Sequence, residues 1–233
     1  MAQEMAIPGT HKWVMEVLLK NIDLSRQKFI LDIGAGQGSL SARLKAAGFV
    51  VSACDITPEQ FSVPDVEFRK CDESGILPFP DEYFDMAVAV EVLEHIDGHD
   101  RFFAEAARIL KWNGLLIFTT PNILSLKSRL RFLLTGCFYS FEPLRPFTKN
   151  PVVQHISPFT LNRYEWMLSQ HDFHICHIET DRIQRSSLLL SLIVPFIMAS
   201  NFLKFQGNSF FRKQNSTSVL FGRKLLIIAK KRT

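Results

Sequence analysis

Residues 28–56 read KFILDIGAGQGSLSARLKAAGFVVSACDI, and this stretch decides the fold. An apolar run over 29–33 stops at a glycine-rich segment, and from Ser39 the leucines are spaced four residues apart. This pattern predicts a strand, a turn and a helix. The helix should end at 47–48, where glycine can adopt the left-handed conformation, and a second apolar run then leads to Asp55. The stretch is therefore predicted to be a βαβ unit with an acid at the end of its second strand.

The three glycines of the turn, Gly34, Gly36 and Gly38, have a physical function. Without a Cβ atom the backbone can turn sharply and approach a ligand, and the first turn of the next helix offers unpaired N–H groups. Asp55 lies about twenty residues further on, where an acid can accept hydrogen bonds from two neighbouring ribose hydroxyls. The pattern therefore predicts a nucleoside site.

The glycine spacing restricts which nucleoside. A nicotinamide site needs glycine at the first, third and sixth positions of the turn, but here the third glycine is at the fifth position and the sixth is Ser39. The Gly-Lys-Ser/Thr ending of a triphosphate-binding loop is also missing. A dinucleotide or triphosphate ligand is therefore disfavoured.

Asp32 followed by G-x-G-x-G resembles motif I of the class I S-adenosylmethionine-dependent methyltransferases. The resemblance implies that S-adenosylmethionine is the cofactor. It also implies that Asp32, the three glycines, Asp55 and the adjacent Ile56 bind this cofactor. The motif by itself also fits other nucleotide-binding proteins and an ordinary α/β turn, so more of the chain has to agree.

Two further segments are similar to the same family. Residues 72–85, DESGILPFPDEYFD, match a block in which the first acid accepts a hydrogen bond from the adenine amino group, a role that falls to Asp72, with Glu73 beside it. Residues 91–96, EVLEHI, match the loop that lies beside the methionine half of the cofactor, which places Glu91 there. Three family segments in the expected order make isolated turn acids an unlikely explanation.

The order of elements predicts an α/β fold. Strands and helices alternate up to Asn122, which indicates a doubly wound, Rossmann-like sheet with ligands at the carboxyl ends of its strands. In the family the sheet has seven strands and an antiparallel last strand, which we assign to 220–229. The expected organisation is one methyltransferase domain over 1–233. Its core comprises 22–122, 157–180 and 218–231, with a lid at 123–156 and an apolar insertion at 181–217.

Composition limits the classes of function. The chain has 233 residues, of which 47% are hydrophobic and 21% charged, and a net charge of +4. It should bury a full core, and it lacks the basic excess typical of nucleic-acid-binding proteins. The four cysteines lie far apart and form no C-x-x-C, so we expect neither a zinc knuckle nor a disulfide framework. No secretory signal is visible, and a reducing cytoplasm is the expected location.

The two insertions are apolar. Residues 123–141 have apolar positions at three- and four-residue steps with basic residues between them, which fits either a lid packed on its own domain or a helix lying in a membrane interface. Residues 186–203 carry no charge but contain Pro195. A single membrane crossing there would separate strands six and seven, so the sheet could not close. The expected structure is a flap that caps the substrate site and dips into one leaflet.

His95 and His155 are the candidate catalytic bases, because a hydroxyl or carboxyl acceptor must lose a proton before it is methylated. An alternative remains open. Glu91, Glu94 and His95 with the distant His155 resemble the divalent-metal site of small-RNA 2′-O-methyltransferases, and also the E-x-L-E-H of ubiquinone-pathway O-methyltransferases. Whether a metal binds is left undecided. The other histidines are expected at the surface; these are His11, His99, His171, His174 and His177.

The resulting hypothesis is an S-adenosylmethionine-dependent methyltransferase that acts at oxygen on an apolar or lipid-linked small molecule. Its expected location is the cytoplasm, with peripheral contact at the inner face of the membrane through 123–141 and 186–206. Two alternatives remain. One is a metal-dependent RNA 2′-O-methyltransferase, although a nucleic-acid partner is not expected. The other is a non-catalytic cofactor-binding membrane adaptor.

Overall fold

A seven-stranded sheet forms the centre of the molecule. The structure, a computed structural model, describes residues 6–23, 25, 28–71, 75–148, 153–205 and 208–232. The strands are β1 (Phe29–Ile33), β2 (Val50–Asp55), β3 (Glu67–Lys70), β4 (Phe84–Ala89), β5 (Leu110–Pro121), β6 (Phe173–Thr180) and β7 (Lys224–Lys231). Their order in the sheet is β3-β2-β1-β4-β5-β7-β6. The first five strands run parallel, and β7 is antiparallel to both of its neighbours. The predicted doubly wound fold with an antiparallel last strand is confirmed.

Helices cover the sheet and build the two insertions. They are α1 (Thr10–Asn21), α2 (Ser39–Ala46), α3 (His99–Ile109), α4 (Leu126–Thr135), α5 (Leu161–Gln170), α6 (Arg185–Leu188), α7 (Val194–Phe205), α8 (Ser209–Gln214) and α9 (Thr217–Phe221). Two buried apolar clusters lie on the two faces of the sheet, one against α3 and α5 and the other against α1 and α2. Because both faces are covered, β4 and β5 are apolar throughout most of their length, as expected for central strands.

Three boundaries of elements bear on the site, and one of them differs from the prediction. Gly9 is the N-cap of α1 and Thr10 is the first helical residue, with its hydroxyl accepting a hydrogen bond from Lys224. The start of strand seven was placed too early, since 217–221 is helical and β7 begins at Lys224. The proline after Asp55 begins only the short 3-10 turn Pro58–Gln60.

The insertions leave the sheet at its carboxyl edge. The first follows the end of β5, and the second connects the end of β6 to the start of β7, which is antiparallel and therefore begins at the same edge. In the first, Leu126 is buried but Leu133 is 79% exposed. In the second, no described residue of α7 is buried. Neither insertion thus packs fully on its own domain.

Two statements about the described residues complete the fold. None of the helices in those ranges has the length and apolar character required to cross a bilayer. Two of the five histidines that were expected at the surface are instead buried, so that prediction was wrong for them. His99 lies against Phe159 and has only 1% of its surface exposed, and His11 is buried in α1.

Candidate active site

The glycine-rich turn lies at the carboxyl end of β1, as predicted. Gly34, Gly36 and Gly38 all have positive φ angles, of 73°, 52° and 88°. The N–H groups of Gly34 and Ala35 both donate to the carbonyl oxygen of Cys54 in β2, which fixes the turn on the neighbouring strand. A Cβ atom on Gly38 would lie 2.3 Å from Val63 Cγ2, so glycine is required there for space as well as for φ.

Asp32 connects this turn to the first turn of α2 through hydrogen bonds with Ser41. Its Oδ2 accepts a hydrogen bond of 2.6 Å from the Ser41 hydroxyl, and the Ser41 N–H also donates to its carboxylate. The side chain thereby satisfies donors in the first turn of α2, which has no other side-chain cap. Burial raises the pKa of Asp32 to about 6, although both hydrogen bonds from Ser41 oppose this shift. In this structure Asp32 positions the turn, and direct contact with the cofactor stays a prediction.

Asp55 lies at the end of β2 and faces the turn. Its Oδ2 accepts from Gly36 N–H at 2.8 Å, and its Oδ1 accepts from the Thr57 N–H at 2.9 Å and from the Thr57 hydroxyl at 2.7 Å. A carboxylate has about four acceptor positions. One position remains for a ligand hydroxyl, and rotation of the Thr57 hydroxyl would free a second. The geometry therefore fits a sugar that presents two hydroxyls at this edge.

The remaining predicted cofactor residues are less constrained. Ile56 follows Asp55 and has 38% of its surface exposed, so its side chain is available to a flat ligand. Asp72 and Glu73, the predicted partners of the base, lie outside the described residues. Their assignment remains a prediction.

Glu91 follows β4 and forms an ion pair that the sequence analysis missed. Lys224 Nζ, from the start of β7, donates to Glu91 Oε1, and the backbone N–H of Ile7 donates to Oε2 at 3.3 Å. Glu91 has a φ of 56°, a left-handed conformation that is uncommon for this residue type and is concentrated at functional sites. The Thr119 hydroxyl oxygen accepts its backbone N–H at 2.9 Å. Glu91 is thus held by β5, β7 and the segment before α1.

His95 and His155 lie next to each other, with ring centroids 4.8 Å apart. The backbone explains this proximity, because the N–H groups of Ile156 and Ser157 both donate to the carbonyl oxygen of Glu94. Each histidine places Nδ1 beside a carbonyl oxygen, at 3.0 Å for His95 and 2.7 Å for His155. A carbonyl can only accept, so Nδ1 carries the proton and Nε2 has the lone pair in each neutral ring. Burial and the neighbouring His95 lower the pKa of His155, so its neutral form is favoured at neutral pH.

Glu94 completes a group of three ligand-type side chains. Its side chain is fully buried, and neither carboxyl oxygen has a hydrogen-bond partner on another residue in the part of the chain that the structure describes. Burial raises the pKa of Glu94 to about 8, with the nearby Glu91 adding to this effect. One oxygen of Glu94 and one nitrogen of each histidine lie within 4.8 Å of one another. An unpartnered buried carboxyl beside two imidazole lone pairs has the donor set and the spacing of a divalent-metal site.

A cavity of about 110 Å³ opens beside these residues. It is lined by Ile7, Glu91, Pro121, Tyr139, Ser140, His155, Arg223 and Lys224. The wall therefore combines the residue after β4, the end of β5 and the start of β7 with three residues of the first insertion and one residue before α1. Of the two predicted catalytic residues, His155 lines the cavity and His95 lies behind it against the His155 ring, and their catalytic role stays a prediction. Sequence reasoning missed Lys224, whose position in an apolar strand was the available signal. Arg223 was also missed; it is held by an ion pair with Asp181.

Comparison with known proteins relates part of this chain to methyltransferases. Residues 31–118 match a family model described as a methyltransferase domain. Among curated proteins, the chain is 29% identical over 104 residues to the demethylmenaquinone methyltransferase of Tropheryma whipplei, covering 42% of this chain and 44% of that one. It is 28% identical over 146 residues to the ubiquinone biosynthesis O-methyltransferase of Coxiella burnetii, covering 59% of this chain and 61% of that one. The matches thus span about half the length of these relatives.

A solved structure agrees over nearly the whole chain. The S-adenosylmethionine-dependent methyltransferase from Archaeoglobus fulgidus aligns with a TM-score of 0.59 and 20% identity, covering 95% of both chains. At that identity the likeness supports the fold alone, while the family model supports the domain. Residues 31–118 therefore belong to a methyltransferase domain, and the chain has the fold of the class I S-adenosylmethionine-dependent methyltransferases.

Proposed function

We propose that this protein transfers a methyl group from S-adenosylmethionine to an oxygen atom of an apolar or lipid-linked small molecule. The observation that carries the proposal is the pair His95 and His155, whose Nε2 lone pairs lie at the same sheet edge as the glycine-rich turn. Methyl transfer to a hydroxyl requires a donor site and a base next to each other. The proposal assigns the donor site to the glycine-rich turn and the base to His155.

When bound, the cofactor supplies a methyl group already activated by a sulfonium, so the protein has to align the reactants and remove a proton. In the proposed mechanism Asp55 accepts hydrogen bonds from the ribose hydroxyls, while Asp32 and the glycines hold the turn. His155 lines the cavity, and its Nδ1–H donates a hydrogen bond to the carbonyl oxygen of Ser140. Its Nε2 then accepts the proton of the acceptor hydroxyl, and His95 packs edge-on against the same ring.

The acceptor class is supported by the cavity wall and by the names of the relatives. Pro121, Tyr139 and Ile7 give the wall an apolar part. The matched relatives are named for steps of ubiquinone and menaquinone synthesis. A volume of about 110 Å³ is small for a whole ligand, since typical ligand pockets are about 300–1,000 Å³. We infer that the reacting end of the acceptor enters the cavity and that the rest lies along the insertions.

A second candidate is metal-dependent methylation of a hydroxyl, which includes the RNA 2′-O alternative. The specific observation in its favour is the group Glu94, His95 and His155. The hydrogen bonds from each Nδ1 to a backbone carbonyl orient the rings as in many metal-binding histidines. A divalent ion held there would lower the pKa of an acceptor hydroxyl. The apolar insertions favour a small apolar acceptor over RNA in either case.

We also propose the organisation and location of the protein. The whole chain would act as one methyltransferase domain, with 123–156 and 181–217 as insertions that shape the acceptor site. We propose a cytoplasmic location at the inner face of the membrane. The four cysteines, which are all free, support the reducing compartment, and the membrane position is a separate proposal.

Methyl transfer from labelled S-adenosylmethionine tests the proposal. The acceptors would be a prenylated phenol and a short RNA, each with and without EDTA. Activity on the phenol supports the first candidate, and activity on either acceptor that EDTA abolishes supports a metal. His155→Ala should lower kcat by roughly 10²–10⁴-fold, as expected for the loss of a general base, with S-adenosylhomocysteine binding unchanged.

The matched control is His171→Ala, because His171 pairs with the exposed Asp100 away from the cavity. It should retain full activity. Binding of S-adenosylhomocysteine without methylation of any phenol or RNA would instead favour a non-catalytic cofactor-binding protein. Equal activity of the His155 and His171 variants would contradict the proposed base.

A further inference from the structure

Many of the exposed apolar side chains among the described residues belong to the two insertions. We define the apolar face by seven exposed residues, which are Leu133, Leu134, Leu189, Leu192, Phe196, Phe202 and Leu203. Single exposed apolar residues are ordinary, but a group of exposed apolar residues in one region usually marks an interaction site. Phe196 has 76% of its surface exposed, and its helix α7 buries none of its described residues. Folding of the domain therefore does not use this face.

The two parts of the apolar face are neighbours in space. α6 packs against α4, and α9 packs against both helices. α7 follows α6 after the single 3-10 turn Ser191–Ile193. The exposed leucines at the end of α4 and the exposed residues of α7 thus belong to one region at the carboxyl edge of the sheet.

The charge around this face is basic. The two insertions, 123–156 and 181–217, contain ten basic and two acidic residues. The rest of the chain contains 17 basic and 21 acidic residues, so the net charge of +4 comes from the insertions. Arg131 and Lys213 are ion-paired, with Glu142 and Glu165 respectively. Two of the basic side chains, Arg185 and Lys204, are exposed directly beside the apolar residues of α6 and α7. The surface therefore combines exposed leucine and phenylalanine with a positive rim.

We propose that this face is a docking surface for an anionic lipid membrane, into which α7 inserts its apolar residues without crossing. Apolar side chains that enter the acyl boundary beside lysine and arginine at the headgroups are the pattern of interfacial helices. α7 has 12 residues and is about 18 Å long, well short of the ~30 Å hydrocarbon layer. The helix can lie in one leaflet but cannot span the bilayer.

Charge favours lipid over a second copy of the chain as the occupant. A twofold dimer brings the same patch of each copy together, so the basic rims would face each other and repel. A leaflet rich in anionic lipid complements the same rim. Tyr139 and Ser140, which follow α4 directly, line the candidate cavity, so a docked protein would hold this cavity close to the membrane surface. The docking surface does not depend on the proposed methyl transfer.

Flotation with two kinds of vesicle tests the proposal on the full chain. One kind contains phosphatidylcholine alone, and the other contains equal parts of phosphatidylcholine and phosphatidylglycerol. The wild type should float with the anionic vesicles, and its bound fraction should fall as salt is raised. Arg185→Gln with Lys204→Gln should weaken this binding by roughly 5-fold per charge. Phe196→Ser with Phe202→Ser should abolish flotation.

The matched control is Trp112→Ser, which removes an aromatic side chain of similar exposure, 54%, near the start of β5 and thus at the opposite edge of the sheet. It should float like the wild type. Binding of S-adenosylhomocysteine by each variant verifies that the domain is folded and keeps this test separate from that of the methyltransferase activity. Flotation that is the same in the Phe196/Phe202 variant and the wild type would overturn the proposal. A wild type that does not float would also overturn the proposal. If this wild type forms a dimer that the Phe196/Phe202 variant dissociates, the face binds a second copy of the chain instead of a membrane.

Discussion

Replacing Gly38 by alanine tests how the glycine-rich turn is built. Gly38 has a φ of 88°, and an added Cβ would lie 2.3 Å from Val63 Cγ2 and 2.8 Å from Phe61 Cε2. Both neighbours belong to the segment that follows Asp55, so relief of the overlap must move that segment. The substitution therefore perturbs the turn and the region after Asp55 together.

The magnitude has two parts. A left-handed alanine costs about 1–2 kcal/mol relative to glycine, and an extra methyl group in a filled site costs about 1–3 kcal/mol. Gly48→Ala is the matched control, because Gly48 has a φ of 94° but nothing within 4 Å of its added Cβ. The Gly48→Ala variant should therefore show only the cost of the left-handed backbone conformation. The free energy of unfolding should therefore fall about 1–3 kcal/mol further in Gly38→Ala than in Gly48→Ala.

Urea unfolding of both variants and calorimetric titration with S-adenosylhomocysteine provide the measurements. Displacement of the region after Asp55 should lower the ligand affinity of Gly38→Ala by roughly tenfold, equivalent to the loss of about one hydrogen bond. Gly48→Ala should bind like the wild type. Equal stability and equal affinity of the two variants would refute the close packing around the turn.

Two further predictions follow from buried charges. Burial raises the pKa of Asp32 from 3.8 in the unfolded chain to about 6 in the folded protein. The contribution of Asp32 to stability is therefore complete below pH 3.8 and is lost as the pH rises to 6, whereas asparagine does not titrate. Relative to the wild type, the free energy of unfolding of Asp32→Asn should therefore rise by about 3 kcal/mol between about pH 4 and pH 7, and equal pH profiles of the two proteins in urea unfolding would contradict this. Lys224→Met leaves the buried Glu91 without its partner and should lower the free energy of unfolding by about 3 kcal/mol. Adding Glu91→Gln removes the uncompensated charge and should restore most of this stability. A double variant as unstable as Lys224→Met alone would argue against the ion pair.

The sheet was predictable because its signals are local. β1, the turn and α2 were located correctly, since apolar runs, glycines and helical spacing act within one segment. The start of β7 was placed too early because 217–221 is as apolar as a strand, and helix or strand in a short apolar run cannot be distinguished by pattern alone.

The site was only partly predictable because its contacts are distant along the chain. The family pattern located His95 and His155, but their contact depends on the backbone hydrogen bonds that bring 156–157 to Glu94. The ion pair of Glu91 and Lys224 joins residues 133 positions apart, and no local pattern records such a pairing. The burial of Glu94 likewise follows from the packing of the loop and not from its sequence.

A crystal structure of the protein soaked with S-adenosylhomocysteine tests the central claim most directly. The account predicts that the nucleoside binds at the carboxyl edge of β1 and β2, with both ribose hydroxyls within about 3 Å of the Asp55 carboxylate. The amino-acid part of the ligand should pass over Gly36. Ligand density elsewhere, or ribose hydroxyls that face away from Asp55, would contradict it.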